Sequence, residues 1–333
     1  MSSDFCVITS YFNPARYKTK RRNFDMFMEN MAKFDANVLV VELAFGDDDF
    51  DLDPADNVLQ FRGHDIMWQK ERLLNVAVAQ LPKSCTKVGW FDADLIFKEP
   101  DWLERTSAAL ENYMVVQPFS HAVRMHRDNA DDGTGLLYES FTSCFVRDPS
   151  LARTKKFNNH GHTGFAWAAR REFVAECGFY DACLTGSGDH LMAHAFAAAV
   201  AKSPCMPHMI GPSQAYARHF VKWAVKARDF VGGKLGVVPG RILHLWHGDL
   251  GDRRYAEMNR QFMTFGFDPD AHIRVGADGL WEWSGAPERM RQWARDMFEV
   301  RNEDGERPSA PAPVAATAMG NAGPRAAAMP RAR

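Results

Sequence analysis

The stretch "KVGWFDADLIFKEP", residues 87–100, decides how the chain is read. An apolar run, Val88-Gly89-Trp90-Phe91, leads into two acids one residue apart, Asp92 and Asp94, and Leu95-Ile96-Phe97 resumes the apolar pattern. Two readings compete. Acids collect where strands end, and on that reading the pair is a solvated corner. A carboxylate at the C-terminal edge of a buried strand can instead hold a divalent cation. Asp-x-Asp is too short a motif to choose by itself, so the choice rests on what surrounds it.

Upstream, strand and helix patterns alternate. "FCVITS" (5–10), "NVLVVEL" (37–43) and "NVLQFR" (57–62) are apolar strand runs. Phe24, Phe27, Met28, Met31 and Phe34 fall on one helical stripe between the first two. "GDDDFDLDPAD" (46–56) reads as a solvated loop, and "MWQKERLLNVAVAQLP" (67–82) as a helix closed by Pro82. Strands spaced by helices imply an α/β chain with a mostly parallel central sheet. Ligands of such sheets bind beyond the carboxyl ends of the strands. Asp92 and Asp94 fall at such an end, which favours the metal reading.

Downstream the pattern is less regular. Residues 128–163 are polar and Gly-rich, long for a connection, and the expectation there is a functional or disordered loop. "GFAWAA" (164–169) and "GRILHLWHG" (240–248) read as strands; 170–179, 188–200, 252–265 and 286–302 read as helices. From about residue 305 the chain becomes an Ala/Pro-rich tail, predicted to be disordered because it has little to bury.

With 333 residues, 46% of them apolar, the chain can bury the core of one large α/β domain. Forty basic against 42 acidic residues, a net charge of −2, argues against bulk-charge binding of nucleic acid. The start, "MSSDFCVITSYFNP", lacks the pattern of a secretory leader, and apolar runs such as "AFAAAVA" (195–201) are too short to span a bilayer. Cysteines stand singly at 6, 85, 144, 177, 183 and 205, with no CxxC pair. A cytoplasmic chain with reduced thiols is the expectation.

Five segments, in order, resemble the β-1,4-galactosyltransferase family: "WQKERLLNVAVAQL" with "GWFDADLIF", "VVQPFSHAVRM", "GHTGFAWAARREFVAECGFYD", "GSGDHLMAHAF" and "ILHLWHGD". The resemblance covers residues 5–265. It implies the A-type (GT-A) glycosyltransferase fold, a Rossmann-like nucleotide-diphospho-sugar transferase. One domain would span 1–304, with 1–100 as the nucleotide-sugar half and 101–304 completing the acceptor and metal sites. The implied reaction is metal-dependent, inverting transfer of a sugar from a nucleotide sugar, UDP-hexose by family resemblance, to a hydroxyl acceptor. A nucleotidyltransferase of similar fold, or a binding module without turnover, remain the alternatives.

Each residue has a chemical reason. A leaving diphosphate must be neutralised, and a divalent cation does so as a Lewis acid. Asp94 is the expected direct ligand, with Asp92 on metal-bound water or the ribose. His244 and His247 in "HLWH" are further ligands, and imidazole with carboxylate suits Mn²⁺ or another divalent ion of that kind. The family carries Met where His244 stands. Side chains three apart on a straight strand face opposite ways, so both histidines reach one ion only if the strand bends or ends near Gly248. Asp189, after "CLTGSG", is the expected general base for the acceptor hydroxyl; its structural alternative is a helix cap. The family's Trp in that loop is absent.

Lys70 or Arg72 is expected to reach the nucleotide or its diphosphate, and Asn75 to cap or bridge elements. Ser10, Tyr11 and Asn13 follow the first strand, where base and ribose would sit, and Glu42 ends the second, in reach of a ribose or base. Arg218, Lys222 and Lys226 form a basic stripe at helical spacing, either a solvated face or a surface for an anionic acceptor. The acceptor classes left open are a glycan, a lipid-linked sugar, a protein and a modified nucleic-acid base.

Overall fold

The computed structural model describes residues 4–154, 159–203 and 206–307. Its strands are β1 (Phe5–Tyr11), β2 (Asn37–Phe45), β3 (Val58–Gly63), β4 (Lys87–Phe91), β5 (Leu95–Phe97), β6 (Val115–Gln117), β7 (His121–Arg124), β8 (Leu136–Glu139), β9 (Ala166–Arg170), β10 (Leu235–Val237), β11 (Arg241–His244), β12 (Ile273–Val275) and β13 (Trp281–Trp283). Seven form the central sheet in the order β10-β6-β9-β4-β1-β2-β3. It is parallel except at β9, which runs antiparallel to β4 and β6. A second sheet, β5-β11-β7-β8, begins where β4 ends, and β12-β13 form a hairpin.

Both faces of the central sheet are covered, which is why β1, β2 and β4 read as nearly unbroken apolar runs. One face carries Ile8, Leu43, Leu74, Trp90 and Trp167; the other carries Val7, Phe27, Met31, Phe91 and Trp102. The helix Lys18–Ala32 buries Phe24, Phe27 and Met31 on its predicted stripe. Truncating a wholly buried ring such as Phe27 to Ala costs about 3–5 kcal/mol. Two asparagines on this helix do more than pack. Asn30 donates to the Phe97 carbonyl at 3.3 Å and accepts from the Phe97 N–H at 2.8 Å, and Asn23 donates to the Trp246 carbonyl at 2.9 Å. They pin the two segments that carry the candidate site.

Several expectations change. The 128–163 region is not an open loop: it holds β8, a helix Phe141–Arg147 capped by the Ser140 hydroxyl, and a 3₁₀ turn Pro149–Arg153. Each element is too short to show a period in sequence. The 240–248 strand ends at His244. The helix expected over 252–265 is two, Leu250–Arg253 and Tyr255–Met263, broken at Arg254 with φ 43°. The chain stays packed through Arg307: the Asp304 carboxylate accepts from the N–H groups of Lys18 and Thr19 at 3.0 and 2.7 Å. The rest of the expected tail, 308–333, lies outside the described residues, as does Cys205. Cys6, Cys85, Cys144, Cys177 and Cys183 are free thiols. No helix among the described residues is long and apolar enough to cross a membrane.

Candidate functional site

β4, near the middle of the sheet, delivers Asp92-Ala93-Asp94 past its carboxyl end. β5 then pairs antiparallel with β11 in a register that sets His244 opposite Leu95. The Leu245 N–H donates to the Asp94 carbonyl at 2.9 Å. Asp94 and His244 therefore lie side by side. Because β11 stops at His244 and the chain turns, His247 returns to the same point.

Asp94 Oδ2 is 3.6 Å from His244 Nε2 and 3.2 Å from His247 Nε2, and the two nitrogens are 3.0 Å apart. An ion bound at about 2.1 Å to each of two ligands sets them about 3.0–3.5 Å apart. The donor set thus fits a divalent ion. The other oxygen of Asp94, Oδ1, and the other nitrogen of His244, Nδ1, are buried with no hydrogen-bond partner among the described residues. Burial pushes the pKa of both imidazoles well below the usual value, leaving them neutral ligands. Burial, then the neighbouring Asp92 charge, pushes Asp94 up to about 7. Below that pH an ion must displace a proton, so its affinity falls as pH falls.

A ring of cations, unforeseen in sequence, surrounds this corner. Arg253 Nη2 contacts His247 Nδ1 and donates to the His247 carbonyl at 2.7 Å. Glu303 Oε1 lies 3.7 Å from His247 Nδ1, where a carboxylate can orient a metal-bound imidazole. Arg301 Nε donates to Glu303 at 2.7 Å, and Arg301 and Lys20 hold that acid well below the usual carboxylate range despite its burial. Lys20 Nζ sits 4.9 Å over the Phe12 ring, with its pKa lowered by burial. Arg124, opposite His244 in the β7–β11 pairing, is half-buried, and burial lowers its pKa. Four cations face two acids, a surplus that suits an anionic ligand. The binding signal was invisible because these residues come from four distant segments.

The second corner lies across Asp92. Lys70, the first residue of the helix Lys70–Gln80, places Nζ 2.5 Å from Asp92 Oδ1 and 2.9 Å from Asp189 Oδ2. Burial opposes the lysine charge, but Asp189, Asp92 and Glu71 outweigh it and raise its pKa well above normal. Burial raises the Asp189 pKa, and Lys70 opposes that rise. Glu71, 1% exposed, is pushed up to about 8, chiefly by burial. Gly188 makes room for this acid: a Cβ there would run into Glu71 Oε1. Phe165 joins the corners. Its φ of 81° is costly for a residue with a Cβ. Its carbonyl accepts from the Asp92 N–H at 2.8 Å, and its ring lies between His162 (3.8 Å) and His244 (4.7 Å).

Other expected site residues are placed differently. Arg72 turns away: it donates to the Gly279 carbonyl at 2.5 Å and to Asp181 Oδ2 at 3.1 Å, so it braces the fold. Asn75 bridges Phe179 and Asp181. Glu42, 2% exposed, accepts from the Asp51 and Leu52 N–H groups and from Gln60, so its carboxylate is engaged within the fold. Tyr11 and Asn13 both donate to Asp51 Oδ2, at 2.9 and 3.0 Å, so the 46–56 loop folds back over the β1 and β2 ends. Ser10 is half-buried on β1. In the basic stripe Arg218 and Lys222 are exposed, while Lys226 pairs with Glu176 at 2.9 Å. Trp68 packs against the loop that lacks the family's Trp, 3.4 Å from where a Gly186 Cβ would be.

No family model and no curated protein matches the chain. Among solved structures it is similar to the catalytic domain of Drosophila β1,4-galactosyltransferase 7, at 10% identity and TM-score 0.33 over 59% of this chain; it spans 60% of that one. It is also similar to mannosyl-3-phosphoglycerate synthase from Rubrobacter xylanophilus (12% identity, TM-score 0.37, 85% of each chain). A third is 4-diphosphocytidyl-2C-methyl-D-erythritol synthase from Anaerococcus prevotii DSM 20548 (12% identity, TM-score 0.35, 72% of this chain and 88% of that one). At such TM-scores the residues of the site, and not these neighbours, carry any functional conclusion.

Proposed function

We propose that the protein is a divalent-cation-dependent, inverting glycosyltransferase acting on a nucleotide sugar. The observation that carries this is the Asp94–His244–His247 triad ringed by Lys20, Arg124, Arg253 and Arg301, beside an Asp92–Lys70–Asp189 chain. Asp94, His244 and His247 would hold Mn²⁺ or a similar ion, which would supply Lewis-acid neutralisation of a leaving diphosphate. The four cations receive the remaining diphosphate charge. Asp92, between the corners, faces the donor's ribose or the water on the ion.

Asp189 serves the acceptor. As the acceptor oxygen forms its bond to the anomeric carbon, its proton passes to Asp189, and the bond to the diphosphate oxygen breaks with both electrons leaving on the diphosphate. Lys70 opposes the burial that raises the Asp189 pKa and so favours its ionised form. UDP and a hexose follow from the resemblance; the acceptor is a glycan, lipid-linked sugar, protein or modified base. The test is a screen of nucleotide sugars for Mn²⁺-dependent release of nucleoside diphosphate, with nucleoside triphosphates plus sugar phosphates in parallel. Donor hydrolysis is expected. Pyrophosphate release from a triphosphate, with no sugar nucleotide consumed, would overturn the reading in favour of nucleotidyl transfer.

A further inference from the structure

Away from the site just described, three histidines meet in the interior. His160, His190 and His194 are 2%, 6% and 0% exposed. One ring nitrogen of each lies within 4.8 Å of those of the other two. His190 and His194 stand four apart on the helix Gly188–Phe196, on one face, with ring centres 4.5 Å apart. His160 arrives from the segment before β9, its ring centre 5.2 Å from each. Phe141 closes the apolar side, 5.7 Å from His160 and 5.5 Å from His194.

We propose that these three histidines form a second divalent-metal site, of zinc type, that staples the 159–163 segment to the helix bearing Asp189. Hydrogen bonding fixes the tautomer of His160. His160 Nδ1 lies 2.9 Å from the Gly161 carbonyl, which can only accept. Nδ1 therefore carries the proton and Nε2 the lone pair. His190 Nδ1 lies 3.5 Å from Thr163 Oγ1, a hydroxyl that can donate or accept, and where it accepts the ring presents Nε2 to an ion. An oxygen behind one nitrogen and a lone pair on the other is the usual outer arrangement of a metal-bound imidazole. The Ala152 backbone is near His194, yet neither nitrogen of that ring completes a hydrogen bond of ordinary geometry. Burial lowers the pKa of all three, His194 to about 3, so the set is neutral at physiological pH and needs no proton displaced.

An all-imidazole set selects differently from the Asp94 corner. Zn²⁺, Co²⁺ and Ni²⁺ favour nitrogen, whereas Mn²⁺, Mg²⁺ and Ca²⁺ favour oxygen. Three protein ligands leave a fourth position for water. Its effect would come from where the ligands lie: His190 follows Asp189 directly, and the 159–163 segment leads into Gly164 and Phe165, so one ion would tie together both walls of the acceptor corner.

The test uses the full chain carrying Asp94→Ala, which removes the acidic ligand of the other corner. After chelator treatment and dialysis against Zn²⁺, this chain is expected to retain one zinc by elemental analysis. Adding either His160→Gln or His194→Leu should reduce that to none, with the far-ultraviolet spectrum of the folded chain unchanged. Saturating zinc should raise the melting temperature of Asp94→Ala by about 5 °C and leave the double variants unmoved. Co²⁺ in place of Zn²⁺ should give the visible absorption of a tetrahedral nitrogen site. Absence of that absorption and of bound zinc in Asp94→Ala would overturn the proposal without recourse to a further variant. Zinc retained in full by either double variant would overturn it as well.

Discussion

The two corners that meet at Asp92 are built on opposite electrostatic plans. The Asp94 corner has neutral imidazoles and one acid inside a shell of Lys20, Arg124, Arg253 and Arg301. The Asp189 corner has three acids around one lysine. A shell of cations around a carboxylate and two imidazoles suits an ion that brings an anion with it. A lysine among carboxylates suits a carboxylate that must stay ionised, then accept a proton. The contrast teaches that one short motif can serve two tasks, because the acid between them answers to both neighbours: Asp92 raises the pKa of Asp94 and of Asp189 alike.

The most severe way to break the contrast is to empty the first corner. Asp94→Ala, or excess chelator on the parent, should lower transfer by about 10³-fold or more, the scale of Lewis-acid stabilisation worth several kcal/mol, and should weaken donor binding. Mn²⁺ should restore the chelated parent. Full turnover in chelator would remove the ion from the mechanism. Asp189→Asn attacks the second corner alone. Asn caps a helix about as well as Asp, so the variant should fold and bind donor normally while transfer falls about 10²–10⁴-fold. In the parent, the product should carry the anomeric configuration opposite to the donor's. Transfer at the parent rate would place the base elsewhere.

Glu71 gives a smaller effect of defined sign. Its folded pKa near 8 lies above the unfolded value of about 4.3, so its contribution to stability is full below about pH 4 and is lost as pH rises through 8. Glu71→Gln should therefore match the parent below pH 4 and melt higher above pH 8. Its advantage should grow between those limits by about 1.4 kcal/mol per pH unit. A variant no more stable at pH 9 than the parent would show that the acid is not held neutral. His244→Met should cost less than tenfold in transfer but move ion preference toward softer metals; assays across Mn²⁺, Co²⁺ and Zn²⁺ would read it. Cutting the chain after Arg307 should change neither melting temperature nor donor hydrolysis, and a drop of several degrees would show that 308–333 packs on the domain.

The central sheet was legible because β1, β2 and β4 are buried on both faces and flanked by a helix with a clear stripe. Asp92, Asp94, Lys70, Asp189 and His244 could be singled out because each lies at or beside the start or end of an element, and His247 because it closes the "HLWH" run. Arg72 could not be told from Lys70 in that way: two bases lie two apart at one helix start, and only the fold shows that one faces Asp189 and the other Asp181. Glu42 lies near the end of β2 as a ligand contact would, but the Asp51 and Leu52 N–H groups of the folded-back loop take one of its oxygens and Gln60 of β3 takes the other. Arg124, Arg253, Arg301 and Glu303 gave no signal, since long-range convergence leaves no spacing to read. Glu71, an acid between two bases at a helix start, gave one that could have been followed.

Glu303 reaches His247 because Gly248, at φ 90°, lets the chain at Arg301 and Asn302 pass within about 3 Å of where a Cβ would be. That contact has a consequence in time. During synthesis Asp94 emerges first, and Glu303 follows 209 residues later. At 5–20 residues per second, that interval is roughly 10–40 s. β1, β2 and β4 are all made before His247, Arg253, Arg301 and Glu303, so the sheet can begin to form around them while that corner does not yet exist. A chain that stops short of residue 303 contains every strand of the central sheet but lacks the acid that sits against His247, Arg253 and Arg301.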